Sequence, residues 1–180
     1  MLKITVPARE IYLEETNEFI DIKGQTLQLE HSLISLSKWE SKWCKPYIST
    51  KEKTREETID YIRCMTLTPN VKPELYYCLT DDNIKQISEY IEAPMTATTF
   101  SDNKNRPGSR EVITAEIIYY YMIANDIPWE CQKWHLNRLI TLIRVCSIKN
   151  TPSKKMSRSE IMNRNAALNA ARRNKLNSKG

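Results

Sequence analysis

The sequence predicts an α+β fold: a small N-terminal antiparallel β element, a mainly helical body and a basic C-terminal helix. Three observations lead there. Residues 1–30 alternate polar and apolar positions and carry β-branched side chains. Residues 31–150 show helical spacing of apolar residues, punctuated by capping residues and prolines. Beyond residue 150 the apolar content thins and the charge turns basic. The chain therefore reads as a single α+β domain over 1–150, β-rich over 1–30 and helical over 31–150. A basic tail, helical or disordered, follows over 151–180.

Four short strands fit the first part. Leu2-Lys3-Ile4-Thr5-Val6 ends at Pro7, which cannot donate to a ladder. Glu10–Leu13 and Glu18–Ile22 follow, and after the turn signal Lys23-Gly24 the run Gln25–Glu30 alternates again. Strands this short need helices packed on one face. The first helix supplies that, starting at Leu33. At 100° per residue, Leu33, Leu36, Trp39 and Trp43 share about a third of its circumference. Two Trp side chains four apart lie one above the other, and each indole N–H needs an acceptor. Cys44 extends the stripe, and Lys45-Pro46 ends it. The stripe is either the centre of a core or, in part, a groove for a partner.

Thr54 with Glu57 makes a capping box for a second helix bearing Ile59, Ile62 and Met65. Pro73 opens a short helical turn, PELYYCL. Thr80 caps a third helix, with Asp81-Asp82 at its positive end and Ile84, Ile87, Ser88 and Ile91 as its stripe. Residues 95–111 change to Thr, Ser, Asn, Pro and Gly and read as a long loop. Residues 112–124, VITAEIIYYYMIA, are apolar almost all round and are expected to be buried on several sides. Pro128 opens a helix expected to run to about Ile148. Trp129, Leu136, Leu139, Ile140, Ile143 and Cys146 mark one face, and Cys131, Trp134, Leu142 and Val145 nearly the opposite one. A two-faced helix lies between layers or between subunits, which leaves a homo-oligomer open. After the break at 150–153, Ser157 and Glu160 offer another capping box. The helix they start has only a thin stripe of Ile161, Leu168, Ala171 and Leu176, so coupled folding and binding suits it.

The string HSLISLSKWESKW, followed by TREETIDYIRCM and YIEAPMTATTF, resembles a small protein of many tailed bacteriophages that is assigned as a tail assembly chaperone. The ending ALNAARRNKLNSKG is similar to endings in the same family. The matching stretches cover about half the chain and contain no catalytic motif. The resemblance implies a protein of the host cytoplasm that coats the aggregation-prone tape measure protein and helps recruit tail tube subunits. A longer form made by ribosomal frameshifting is common in that family. On this reading the partner-binding residues are Leu36, Trp39, Trp43 and Trp134, with tail contacts through Arg164, Arg172, Arg173 and Lys175. A structural virion component of the neck or tail, such as a connector or tail-completion protein, is the alternative.

Composition limits other classes. Hydrophobic residues at 41% and charged residues at 27% suit a globular protein, and no apolar run approaches the roughly 18 residues of a membrane span. The N-terminus MLKITVPAREIYLEE carries no signal-peptide core. Five cysteines without a CxxC pair read as small buried hydrophobes. Residues 151–180 hold eight Lys or Arg against Glu160 alone, a net +7, which leaves −2 for the other 150 residues. Nucleic-acid contact through this tail is the weaker reading, because no aromatic residues interleave the charges. Cys131 and His135 stand four apart, but only His31 is left as a further histidine, so neither a metal nor a cofactor is expected. Two histidines, three glycines and no nucleophile motif argue against an enzyme.

Overall fold

A computed structural model describes residues 1–13, 18–100, 112–150 and 157–176. The chain divides into two compact units, Met1–Ser147 and Ile148–Gly180. The fold is α+β, with two small antiparallel sheets at the N-terminus and a mostly helical body.

Four strands form, β1 (Leu2–Val6), β2 (Arg9–Leu13), β3 (Glu18–Ile22) and β4 (Gln25–Leu29). Their pairing is nested: β2 joins β3, and β1 joins β4 outside them, both antiparallel. In the outer pair Ile4 faces Leu27, and these two with Val6 and Leu29 are buried, while Thr5 and Thr26 turn outward and bond through their hydroxyls. Gly24 permits the turn before β4, since a Cβ there would lie 2.9 Å from both the Val6 oxygen and the Ala8 nitrogen. The far edge of β4 is covered by the chain leaving the second helix. Leu67 N–H donates to the Gln28 carbonyl, and Glu30 N–H donates to that of Met65.

Helix α1 (Leu33–Trp43) divides the core of the first unit. Its Leu33 and Leu36 belong to one buried cluster, with α4 (Ala115–Ala124) and α5 (Leu136–Asn150). Its Trp39 belongs to the other, with the β1–β4 pair, α2 (Arg55–Met65), the 3-10 turn Pro73–Cys78 and α3 (Asp81–Glu92). The expected capping box at Thr54 forms, Thr80 caps α3 as expected with Asn83 completing an unforeseen box, and Ser32 with Ser35 makes a third for α1. Each satisfies backbone N–H groups that the first helical turn leaves unpaired. Helix α1 ends on Cys44, which adopts a left-handed conformation at φ 51° and is exposed, so it does not extend the Trp stripe. Of the other cysteines, Cys78 and Cys131 are buried and Cys64 and Cys146 half-buried.

Two helical expectations are corrected. The helix predicted from Pro128 to Ile148 is two elements: a 3-10 turn, Trp129–Lys133, and then α5. The break falls at Trp134 and His135 because Leu136 N–H donates to the His31 carbonyl at 2.7 Å, a tertiary bond that replaces a helical one. Cys131 and His135 therefore do not share a helix face. Helix α4 is not enclosed all round: Ala115, Ile118 and Met122 are buried, whereas Tyr120 and Ile123 are exposed. Most of the predicted 95–111 loop, residues 101–111, lies outside the described residues.

In the second unit, α6 (Arg158–Leu176) starts from the expected box, with the Glu160 carboxylate accepting the Ser157 N–H and the Ser157 hydroxyl accepting the Glu160 N–H. None of its residues is buried.

Candidate partner-binding surfaces

The two tryptophans of α1 have different fates. Helix α2 packs over Trp39 and leaves it no exposed surface; Leu36, turned to the other cluster, has none either. The Trp39 indole donates to the Glu57 carbonyl at 2.9 Å, and its ring meets Tyr47 and Tyr61 edge-on. Tyr47 and Tyr61 stack with centroids 3.8 Å apart. Leu36 and Trp39 are thus core, and the groove expected of them is closed by α2 and α4. Trp43, one turn on, is half-buried and keeps a surface. Its indole donates to Asp60 at 2.9 Å, and Lys42 pairs with the other oxygen of that carboxylate at 2.5 Å. With Ile59, Arg63 and Tyr77 it borders a shallow cavity of about 230 Å3.

Glu40 ties α1 to the rest of the core. Its buried carboxylate accepts the Tyr47 N–H at 2.8 Å and the Ala115 N–H at 2.7 Å, the latter at the start of α4. Burial pushes its pKa up, and the two N–H groups partly oppose that by favouring the charged form. Glu57 shows the opposite balance: Lys45 and the Thr54 cap hold its carboxyl below the usual range. Glu40 binds two backbone N–H groups, and Glu57 binds the Thr54 backbone N–H and the Lys45 ammonium.

The two histidines come together. The His31 and His135 rings meet edge-on with centroids 5.1 Å apart. The Tyr61 hydroxyl lies 2.6 Å from His31 Nδ1. His135 donates from Nε2 to the Tyr90 carbonyl and accepts the Asn137 N–H at Nδ1, which fixes it as the neutral tautomer. Both rings are buried, and burial lowers both pKa values, that of His31 to about 3. Among the described residues no group of three or more metal-ligating side chains converges.

Large apolar side chains are exposed where the sequence placed a core. Tyr120 is 65% exposed, Ile123 62% and Trp129 53%. Tyr119 sits 5.8 Å from the Trp129 ring, and helical spacing puts Tyr119, Ile123, Glu116 and Tyr120 on neighbouring positions of α4. Glu116 on the same face, and Asp126 and Glu130 just beyond α4, are exposed. No periodicity argument could find this face, because a helix apolar on every side does not say which side a neighbour leaves open.

Trp134 is half-buried at the end of the 3-10 turn, with the Arg138 guanidinium 4.2 Å above its ring. On α6, Arg164, Arg172, Arg173 and Lys175 are all exposed. Ile161, Arg164, Leu168, Arg172 and Lys175 follow a three–four spacing, so apolar and basic side chains share one face.

No protein-family model, curated protein or solved structure matches the chain. Among the described residues no helix is long and apolar enough to cross a membrane.

Proposed function

We propose that the protein is a non-enzymatic tail assembly chaperone of a tailed bacteriophage, acting in the host cytoplasm on the tape measure protein and assisting assembly of the tail tube. The exposed face of Tyr120, Ile123 and Trp129 is the observation that carries the reading at the level of binding. A client built of long apolar helices needs an apolar surface with charged edges, which is the geometry of helix-in-groove recognition. Isolated exposed apolar residues need no explanation, but three large ones around a single helix face mark an interaction surface. The resemblance of residues 31–43, 54–65 and 90–100 to the chaperone family supplies the identity of the client. Arg164, Arg172, Arg173 and Lys175 of α6 give the chaperone a basic arm for acidic surface of the client or of tube subunits.

Co-expression with the tape measure protein of the same genome tests the reading. The wild-type protein should keep that client soluble and co-purify with it. Tyr120→Ser with Ile123→Ser should abolish the rescue while the variant's own thermal unfolding stays unchanged. No rescue by the wild type, together with recovery of the protein from purified virions, would overturn the chaperone in favour of a structural neck or tail component.

A further inference from the structure

Away from the α4 face, two cavities meet at the corner where β1 and β4 approach the start of α1. One is about 430 Å3 and the other about 310 Å3. Both are bordered by Met1, Glu30 and Lys133, so they adjoin along that shared wall. Each is within the size range of sites that hold a small ligand or a few side chains. The larger is lined mainly by apolar surface, with Ile34, Cys64 and Leu67 among its walls and Lys38 beside them. The smaller contains Trp134 beneath Arg138.

The charges along this trough are one-sided. Lys38, Lys133 and Arg138 are exposed, and among the described residues none of them forms an ion pair. Glu30 is the single carboxylate of the lining, and it is already engaged by the Tyr90 hydroxyl at 2.7 Å and the Met1 amino group at 2.9 Å. Three cations spaced over two adjoining cavities, beside apolar walls, complement a chain that carries carboxylates and apolar side chains in turn.

We infer that this trough binds an acidic peptide segment of a partner protein, with an apolar side chain seated over Ile34 and Leu67 and carboxylates at Lys38, Lys133 and Arg138. Nucleic acid fits less well. Arg138 lies over the Trp134 ring, and the other aromatic rings of the lining, Tyr90 and His135, are buried against each other, which leaves little aromatic surface for a base to stack on. A single-headed amphiphile fits less well too, since the cations are distributed along the trough rather than gathered at one mouth. The inference is independent of the α4 face and of the identity of the chaperone's client.

The test is fluorescence anisotropy of the full chain with a fluorescein-labelled twelve-residue peptide alternating Glu and Leu. Three controls accompany it: the same peptide with Leu replaced by Ser, the same with Glu replaced by Lys, and an oligothymidylate of equal charge. Lys38→Glu with Lys133→Glu turns two attractions into repulsions and should weaken binding of the Glu–Leu peptide about tenfold or more. Both lysines are exposed, so circular dichroism should show the variant folded. Leu67→Ser should weaken the same peptide severalfold. Arg172→Glu with Arg173→Glu, on α6, should change it less than twofold. The inference is overturned by any of four results: no binding, equal binding of the Ser peptide or the oligothymidylate, indifference to the Lys38 and Lys133 reversals, or loss of binding only with the α6 reversals.

Discussion

Acidification should destabilise this protein through His31 at a pH where most carboxylates are still charged. In the folded chain His31 is held neutral by burial, reinforced by the neighbouring His135, and takes up a proton only near pH 3. An unfolded chain protonates the same imidazole near pH 6.5. Between those values the unfolded state binds more protons, so stability is fully present above about pH 6.5 and is lost as the pH falls toward 3. For the single group, moving from pH 7 to pH 4.5 removes roughly 2.5 kcal/mol. The groups facing the ring come from several elements. Tyr61 on α2 shares its hydrogen bond, His135 precedes α5, and Tyr90 on α3 and Glu30 beyond β4 hold the outer side of that second imidazole or its charge. His31 sits where the two buried clusters adjoin, and its own carbonyl holds the first N–H of α5. The assay is urea unfolding of the wild type and of His31→Gln at pH 7 and pH 4.5. Glu57 and Glu40 titrate in both proteins, so the difference between the two pH responses reports His31 together with its coupling to His135. The wild type should lose about 2–3 kcal/mol more than the variant over this interval. Equal losses would show that His31 titrates normally in the folded chain and would refute its enclosure.

Other substitutions separate core from surface. Glu40→Ala strands the N–H groups of Tyr47 and Ala115 and should destabilise by about 2–4 kcal/mol, whereas Glu40→Gln keeps an acceptor and should lose less; chemical denaturation reads both. Trp39→Ala should cost about 3–5 kcal/mol in the same assay, against under 1 kcal/mol for Tyr120→Ser on the exposed face. A chain ending at Asn150 should unfold at the same temperature as the full chain, because α6 buries none of its residues; a fall of more than a few degrees by calorimetry would contradict this. Asp60→Ala should free the Trp43 indole and Lys42 together and shift the tryptophan emission, with only a small change in stability because the Lys42 ammonium is solvent-exposed.

Local chemistry made much of the fold legible. Thr54 with Glu57, Thr80, and Ser157 with Glu160 start helices where their side chains meet backbone N–H groups three residues away, a geometry independent of the rest of the chain. Alternation gave the strands of the N-terminal element, since a half-buried strand has period two whatever it packs against. What periodicity could not distinguish is which apolar surface would meet a neighbour. Trp39 and Trp43 share one stripe, yet α2 encloses the first and leaves the second at the edge of a shallow cavity. Helix α4 reads as apolar on all sides, but its neighbours cover only the side of Ala115, Ile118 and Met122. The nested pairing of β1 with β4 and the break before α5 likewise rest on long-range bonds, the latter on the His31 carbonyl far back in the chain. The sequence by itself determined the strands, the helix starts that carry their own caps and which faces are apolar, because those depend on near neighbours. Tertiary structure alone decided which apolar faces stay open to a partner, because burial is a property of the elements on both sides of a contact.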